Sequence, residues 1–385
     1  FSYERHKIVW RILTIFLRPF ICFRFNMKSE QLNIDGPIIL VPNHVTSWDP
    51  LLVAACLPKK QIYFVASEHI FRLGFISKLI NWLVAPIPRK KAAYGTDTIR
   101  DCIRRFKQGK SICLFAEGEQ SWDGKNNPVF SATGKLVKTS GATLVTFRLE
   151  GAYLCLPRWR KKLRRGKVFA HPIGIYPPEK LRSMKPEEIN QLINRDIYED
   201  AWERQRIHPV HYKGKHIAEG MESVLYLCPE CRRVGTIETK DDQVFCSCGF
   251  RLRYTDTGFF SPDSPFVTIA DWEQWQRKQL CSGNFLYSGT ELFSDEEIEL
   301  SIIKNDHSEK VCTVGKLIQY NDSLDCGEYH FPLNEIGGLA LVQAHLLLMS
   351  YQGDYYQFRT RKCANLRKYF EVWKNSRNNI EKNVR

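Results

Sequence analysis

The chain has 385 residues, 43% hydrophobic and 25% charged, which suits two or three globular domains and excludes a disordered polypeptide. Its net charge of +14 is lopsided: residues 1–215 hold 37 Lys and Arg against 18 Asp and Glu, and residues 216–385 hold 19 against 24. A cationic first half suits phosphate-bearing partners, whether nucleic acid, anionic lipid or a phosphorylated cofactor, without choosing among them.

The first predicted element is "IVWRILTIFLRPFICFRF" (8–25). Arg11, Arg18 and Arg24 interrupt it, and no run in the chain reaches the ~20 apolar residues of a membrane span. Nor does it carry the small-residue cleavage site of a signal peptide. Arginines among bulky apolar residues (Trp10, Ile12, Leu13, Phe16, Phe20, Phe23) predict a helix lying in a membrane interface, with a helix docked on the core as the alternative. A strand is expected over 32–41 with a turn at Asp35-Gly36-Pro37, then a loop and a helix over 47–57. "QIYFVAS" (61–67) reads as a strand, 69–84 as an amphipathic helix, "APIPRKK" as extended chain, and 95–108 as a helix ending at Gly109. "SICLFAEGE" is a strand entering a loop, 133–140 a helix, "ATLVTFRLEGAY" a strand, and 186–205 a helix. Strands alternating with helices predict an α/β domain with a largely parallel sheet, ending near residue 215.

His44 and Asp49, in "VPNHVTSWDP", fall just past the carboxyl end of a predicted strand, where open α/β sheets place their sites. From the first helical turn the Asp49 carboxylate can reach back to the imidazole, fix its tautomer and leave the other nitrogen to take a proton from an alcohol. The alternative is a capping box, Thr46-x-x-Asp49, with Asp49 serving only the helix start and His44 a loop residue. Ser47 reads as a helix cap rather than a nucleophile.

Asn43-His44…Asp49, "APIPRKK" with Arg89, "FAEGEQS" (115–121) and "LVTFRLEGAY" occur in order over about residues 30–175. Together they resemble the four motifs of the glycerolipid acyltransferase family, the 1-acylglycerol-3-phosphate acyltransferases and their relatives. The resemblance implies that His44 is the general base, oriented by Asp49, and that an acceptor hydroxyl attacks the thioester of acyl-CoA or acyl carrier protein. It also implies that Glu117 and Gly118 line the acceptor site and that Arg89 meets the acceptor's phosphate. Backbone N–H groups near the helix start are the expected oxyanion donors. Three positions depart from the family pattern: Ala116, Glu119 and Gln120 stand where the family has Pro, Thr and Arg. Gln120 cannot make the bidentate charged contact of an Arg, which leaves Arg89, Lys90, Lys91 or Arg148 as compensating cations.

Thirteen cysteines, an odd number and mostly scattered, fit a reduced chain rather than a disulfide scaffold. Cys228, Cys231, Cys246 and Cys248 alone cluster, as "CPEC" and "CSCG" around a predicted β-hairpin, and resemble a zinc ribbon with a closed, structural metal site. Redox-active or merely buried cysteines are the alternative. A helix over 268–280, seven strand-like runs over 285–360 and a last helix over 365–375 resemble a pleckstrin-homology-like barrel. The expected domains are an interfacial helix (1–28), an acyltransferase domain (29–215), the ribbon (224–256), a linker helix (257–284) and the barrel (285–376).

The reading is an acyltransferase of phospholipid synthesis or remodelling, peripheral to a membrane on its cytoplasmic face, with a lysoglycerophospholipid-type acceptor. The alternatives are a catalytically inactive lipid-binding scaffold and a nucleic-acid-binding module using the ribbon. The ribbon lies in the acidic half, so no nucleic acid is expected.

Overall fold

A computed structural model describes residues 3–72, 74–90, 95–283, 291–304, 306–360 and 365–383. The chain divides into two compact units, one of residues 1–90, 95–158 and 162–214, the other chiefly of residues 215–385.

The first unit runs α1 (Tyr3–Phe25), β1 (Met27–Ser29), β2 (Ile38–Pro42), α2 (Asp49–Ala55), β3 (Ile62–Ser67), α3 (Phe75–Val84), β4 (Ile87–Arg89) and α4 (Thr96–Lys107). It continues β5 (Ser111–Cys113), α5 (Ala132–Ser140), β6 (Thr143–Glu150), α6 (Ala152–Cys155), β7 (Val168–Tyr176), α7 (Pro178–Ser183), α8 (Pro186–Asp196) and α9 (Ala201–Ile207). Among the described residues the sheet has seven strands in the order β1-β7-β6-β2-β5-β3-β4. The five strands from β6 to β4 pair in parallel, as expected; β7 returns antiparallel to β6 and pairs in parallel with β1.

Strand β2 is central, and its residues Ile38, Ile39, Leu40 and Val41 are all buried, so both faces are covered. Ile39 and Val41 join a core with Ile112, Leu114 and Leu144, closed by Cys102 and Phe106 of α4, Leu136 and Val137 of α5, and Ile189 and Ile193 of α8. Helix α5 can approach α8 closely because Gly134 stands at the contact: a Cβ there would lie 2.0 Å from the Pro186 carbonyl oxygen.

Several expectations are corrected. The strand expected over 32–41 begins only at Ile38. The helix expected over 186–205 breaks after Asp196 and restarts at Ala201, where Asp200 caps it by accepting from Trp202 N and Glu203 N. Strand β7 was not expected, because Pro172 interrupts its pattern. The proline sits beside a bulge in the β6 pairing and beyond the end of β1, where no ladder donor is needed. Trp10, expected among lipid-facing residues, is buried and its indole N–H donates to the Leu57 carbonyl at 2.8 Å. Ile12, Leu13, Phe16, Phe20 and Phe23 are exposed on the same helix. Helix α3 begins only at Phe75, and it turns Phe75, Ile76, Leu79 and Trp82 outward.

The second unit contains an antiparallel three-stranded sheet of β8 (Ile237–Lys240), β9 (Gln243–Cys246) and β10 (Arg251–Arg253), followed by α10 (Ile269–Ser282). Strands β11 (Phe293–Ile303), β12 (Glu309–Gln319), β13 (Ser323–Cys326), β14 (Tyr329–Pro332), β15 (Ile336–Val342), β16 (Leu346–Tyr351) and β17 (Asp354–Thr360) precede α11 (Arg367–Asn383). All seven pair antiparallel in the order β14-β13-β12-β11-β17-β16-β15: two meanders joined by the β11–β17 pair. The short strand β13 was not expected, and residues 286–290 of the first expected run lie outside the described residues. Helix α10 starts on a Thr268–Asp271 capping box and holds the segment entering Cys228: Trp272 Nε1 donates to Leu227 O, and Gln276 Oε1 accepts from Tyr226 N. Fully buried Glu273 of α10 pairs with Arg367 of α11 and with Arg277, so the two helices share a buried ionic contact.

Candidate active site

The loop after β2 brings His44 and Asp49 together. His44 Nδ1 lies 2.8 Å from Asp49 Oδ2, with Asp49 fully buried and the His44 side chain 18% exposed. The same Oδ2 accepts from Val45 N (2.6 Å) and Thr46 N (3.0 Å), while Oδ1 accepts from Thr46 Oγ1 (2.8 Å). Asp49 therefore does both things the sequence left open: it shapes the loop at the helix start and it holds the imidazole. A donating Nδ1–H leaves the Nε2 lone pair as the free basic site.

Local geometry corrects two expectations. Ser47 is exposed and does not cap α2, whose N-cap position is Trp48 without a side-chain cap. The N–H groups of residues 45, 46, 48 and 49 are spent within the loop, on Asp49 and on Thr46, so they are not oxyanion donors in this arrangement.

His44 is clamped at both ends of its main chain by the loop after β5. Its N–H donates to Glu117 Oε1 (2.8 Å), and its carbonyl accepts from Ser121 N (2.9 Å). Phe115 stacks on the imidazole with ring centroids 4.3 Å apart. Asn43 anchors the same loop to β6: its Nδ2 donates to Leu149 O (3.0 Å) and its Oδ1 accepts from Leu149 N (2.7 Å), so an amide side chain imitates a strand neighbour.

Glu117 is buried, and besides His44 N it accepts from Asn126 Nδ2 (2.8 Å) and Asn127 N (2.7 Å). Burial pushes its carboxyl up to about 8, against the pull of these three donors toward the charged form. Gly118 follows with φ +80°, and a Cβ there would lie 2.1 Å from the Phe130 ring. The Arg89 guanidinium lies over the other part of this group, 4.5 Å from the Phe130 centroid, and burial lowers its pKa. Arg89, Phe130 and Gly118 thus form one contiguous patch.

The other candidate cations stand differently. Arg148 donates twice to the Asp196 carbonyl and lies 3.7 Å from Glu150, so it is engaged away from the Gly118 patch. Lys91 lies outside the described residues. Arg158, which the sequence did not single out, pairs with Glu119 at 3.0 Å, donates to the Gln120 carbonyl and lies 3.7 Å from the centroid of the Trp122 ring. Asn126, Phe130 and Arg158 were missed, and Phe115 and Asn43, though inside the quoted motifs, were given no role of their own; the stacking of Phe115 on His44 and of Arg89 on Phe130 joins segments far apart in sequence.

In the second unit the Sγ atoms of Cys228, Cys231, Cys246 and Cys248 all lie within 4.8 Å of one another. The Cys228–Cys248 and Cys231–Cys246 separations are 3.7 and 3.8 Å. Sulfurs about 2.3 Å from one central ion in a tetrahedron stand about 3.8 Å apart, so the four residues fit a tetrahedral thiolate site.

Residues 24–150 match the Acyltransferase family model. A chloroplastic 1-acyl-sn-glycerol-3-phosphate acyltransferase of Brassica napus is 24% identical over 151 residues, 39% of this chain and 42% of that protein. One from Arabidopsis thaliana is 24% identical over 152 residues, 39% and 41% of the two chains. The chain thus spans about two fifths of the length of these relatives. The 1-acyl-sn-glycerophosphate acyltransferase PlsC of Thermotoga maritima superposes with a TM-score of 0.45 at 19% identity, over 53% of this chain and 81% of that one. The Acyltransferase match takes in His44, Asp49, Arg89, Glu117 and Gly118, and leaves out Arg158, the four cysteines and all of residues 215–385.

Proposed function

We propose that this protein transfers a fatty acyl chain from acyl-CoA or acyl carrier protein to the hydroxyl of a lysoglycerophospholipid-type acceptor. The observation that carries this is the buried 2.8 Å His44–Asp49 contact, with the other imidazole nitrogen left basic, within the segment matched to acyltransferases. His44 Nε2 takes the proton of the acceptor hydroxyl as its oxygen attacks the thioester carbonyl. Asp49 stabilises the imidazolium formed. The tetrahedral intermediate collapses, the C–S bond breaks, and the imidazolium returns the proton to the leaving thiolate. No residue is acylated. Arg89 meets the acceptor's phosphate, with Phe130 orienting the guanidinium and Gly118 leaving room for the Phe130 ring.

Membrane attachment is part of the same reading. Among the described residues no helix is long and apolar enough to cross a membrane. Yet α1 and α3 pack together and expose Phe16, Phe20, Phe23, Phe75, Ile76 and Trp82, with Arg5 donating to the Trp82 carbonyl. Aromatic and aliphatic residues interleaved with arginines suit the interface of an anionic bilayer, here assigned to its cytoplasmic face. The four cysteines are assigned a structural zinc ion, bound as thiolates with no open position for chemistry. The seven strands with a closing helix are read as a pleckstrin-homology-like barrel, supported by the two-meander order. Nucleic acid is not a partner in this reading.

The test is acyl transfer from a thioester donor to lysolipids in mixed micelles, comparing the parent chain with His44→Ala. The parent yields a diacyl product and His44→Ala loses at least 10²-fold in rate. A His44→Ala chain that turns over at the parent rate overturns the mechanism.

A further inference from the structure

The loop that clamps His44 carries a charge pair whose layout bears on the acceptor. Glu117 and Ser121 both bond to the His44 main chain, so residues 118–120 between them lie at the lip of the site. Within that stretch Glu119 is the charged residue, and its side chain is 25% exposed. Arg158 comes to it from outside the family-matched segment. The Arg158 side chain is 3% exposed; its Nη1 lies 3.0 Å from Glu119 Oε2 and 3.1 Å from the Gln120 carbonyl oxygen, and its guanidinium lies over Trp122. The arginine is the buried member of the pair, and the carboxylate it holds is the member that reaches solvent, with a quarter of its side chain exposed. Arg89 stands over Phe130, the ring that touches the Gly118 position. Gly118 is thus bordered by a cation from β4 and followed directly by a partly exposed carboxylate paired with Arg158.

This arrangement discriminates between headgroups by charge. A phosphomonoester carries close to two negative charges at neutral pH and presents three acceptor oxygens. A phosphodiester carries one charge and two such oxygens. A dianion needs cations on more than one side, and here one side offers an ion pair whose more exposed member is the Glu119 carboxylate. Like charges brought together on binding act as a device against the wrong ligand.

We propose that Glu119, fixed by Arg158, selects lysolipids with a phosphodiester headgroup over acceptors bearing a phosphomonoester. Glu119 is the selecting residue and Arg158 its positioning residue. The inference rests on the reading that Arg89 meets the acceptor's anion during acyl transfer.

The experiment measures kcat/KM for two acceptors with the same acyl chain, 1-acylglycerol-3-phosphate and 1-acylglycerol-3-phosphoglycerol, with one thioester donor. The parent protein prefers the phosphodiester. Glu119→Gln keeps an oxygen for Arg158 and removes the charge; it raises the monoester-to-diester ratio at least fivefold. Glu119→Ser removes the same charge with a smaller side chain; it raises the same ratio at least fivefold, and decides the matter should Glu119→Gln fail to fold. A parent that prefers the phosphomonoester, or a folded variant that moves the ratio less than fivefold, overturns the inference while leaving the acyltransferase reading in place. A parent that acylates neither acceptor overturns the acyltransferase reading and this inference with it.

Discussion

Asp49→Asn separates the catalytic role of the buried carboxylate from its structural one. Asp49 accepts four hydrogen bonds, from the His44 ring, two main-chain amides and the Thr46 hydroxyl. An asparagine oxygen can keep the Val45 and Thr46 amide contacts. Its NH2 must then face Thr46 Oγ1, which already accepts from Trp48 N and loses its own acceptor. Neutral hydrogen bonds are about half as strong as charge-assisted ones, so the folding cost is about 1–3 kcal/mol. Against the ~5–15 kcal/mol of an ordinary domain, that leaves the chain almost wholly folded. The rate loss is larger: without the charge that stabilises the imidazolium, the contribution of the base falls by about 10²–10⁴, or ~3–5 kcal/mol of barrier. The assay follows thiol release from a thioester donor at saturating lysolipid, with thermal unfolding by circular dichroism beside it. His44→Ala and the double variant should lose no more than the worse single one, because the two side chains act as a unit. A folded Asp49→Asn chain within tenfold of the parent rate would refute the reasoning and leave Asp49 as a loop-shaping residue.

Glu117, with its carboxyl pushed up to about 8 by burial, holds a proton in the folded chain that the unfolded chain releases near 4.5. Its contribution to stability is complete below about 4.5 and is lost as pH rises through about 8. The unfolding midpoint of Glu117→Gln relative to the parent should therefore climb from pH 5 to pH 8.5, and a flat difference would count against the shifted group. Cys228→Ser should bring the metal content of the purified protein from one zinc per chain to near zero and destabilise the second unit; zinc-free parent protein with an intact fold would end the metal assignment. Phe75→Ser with Trp82→Ser should at least halve the fraction that floats with anionic liposomes in high salt, while thiol release with a micellar acceptor holds. Unchanged flotation would remove α3 from the membrane face.

What could be read along the chain was whatever short spacing encodes. His44 and Asp49 are five residues apart, close enough for a loop and one helical turn to join them, and the paired cysteine knuckles announce their convergence in the same way. Alternating strands and helices likewise announced the parallel sheet, because periods of two and 3.6 are local properties. Contacts between distant segments were decided only by the tertiary structure. Asn43 meets Leu149 across 106 residues, Glu117 meets the His44 amide across 73, and Arg158 meets Glu119 across 39. Nothing in the residues around Arg158 marks it as a partner for that loop. The same holds for which face of α1 is buried: Trp10 and Phe16 are alike to a hydrophobicity pattern, and only the packing of α1 on its neighbours buries one and exposes the other. The sheet topology that brings the loops after β2 and β5 side by side turns separate local signals into one site, since strand pairing joins residues without regard to their distance in sequence.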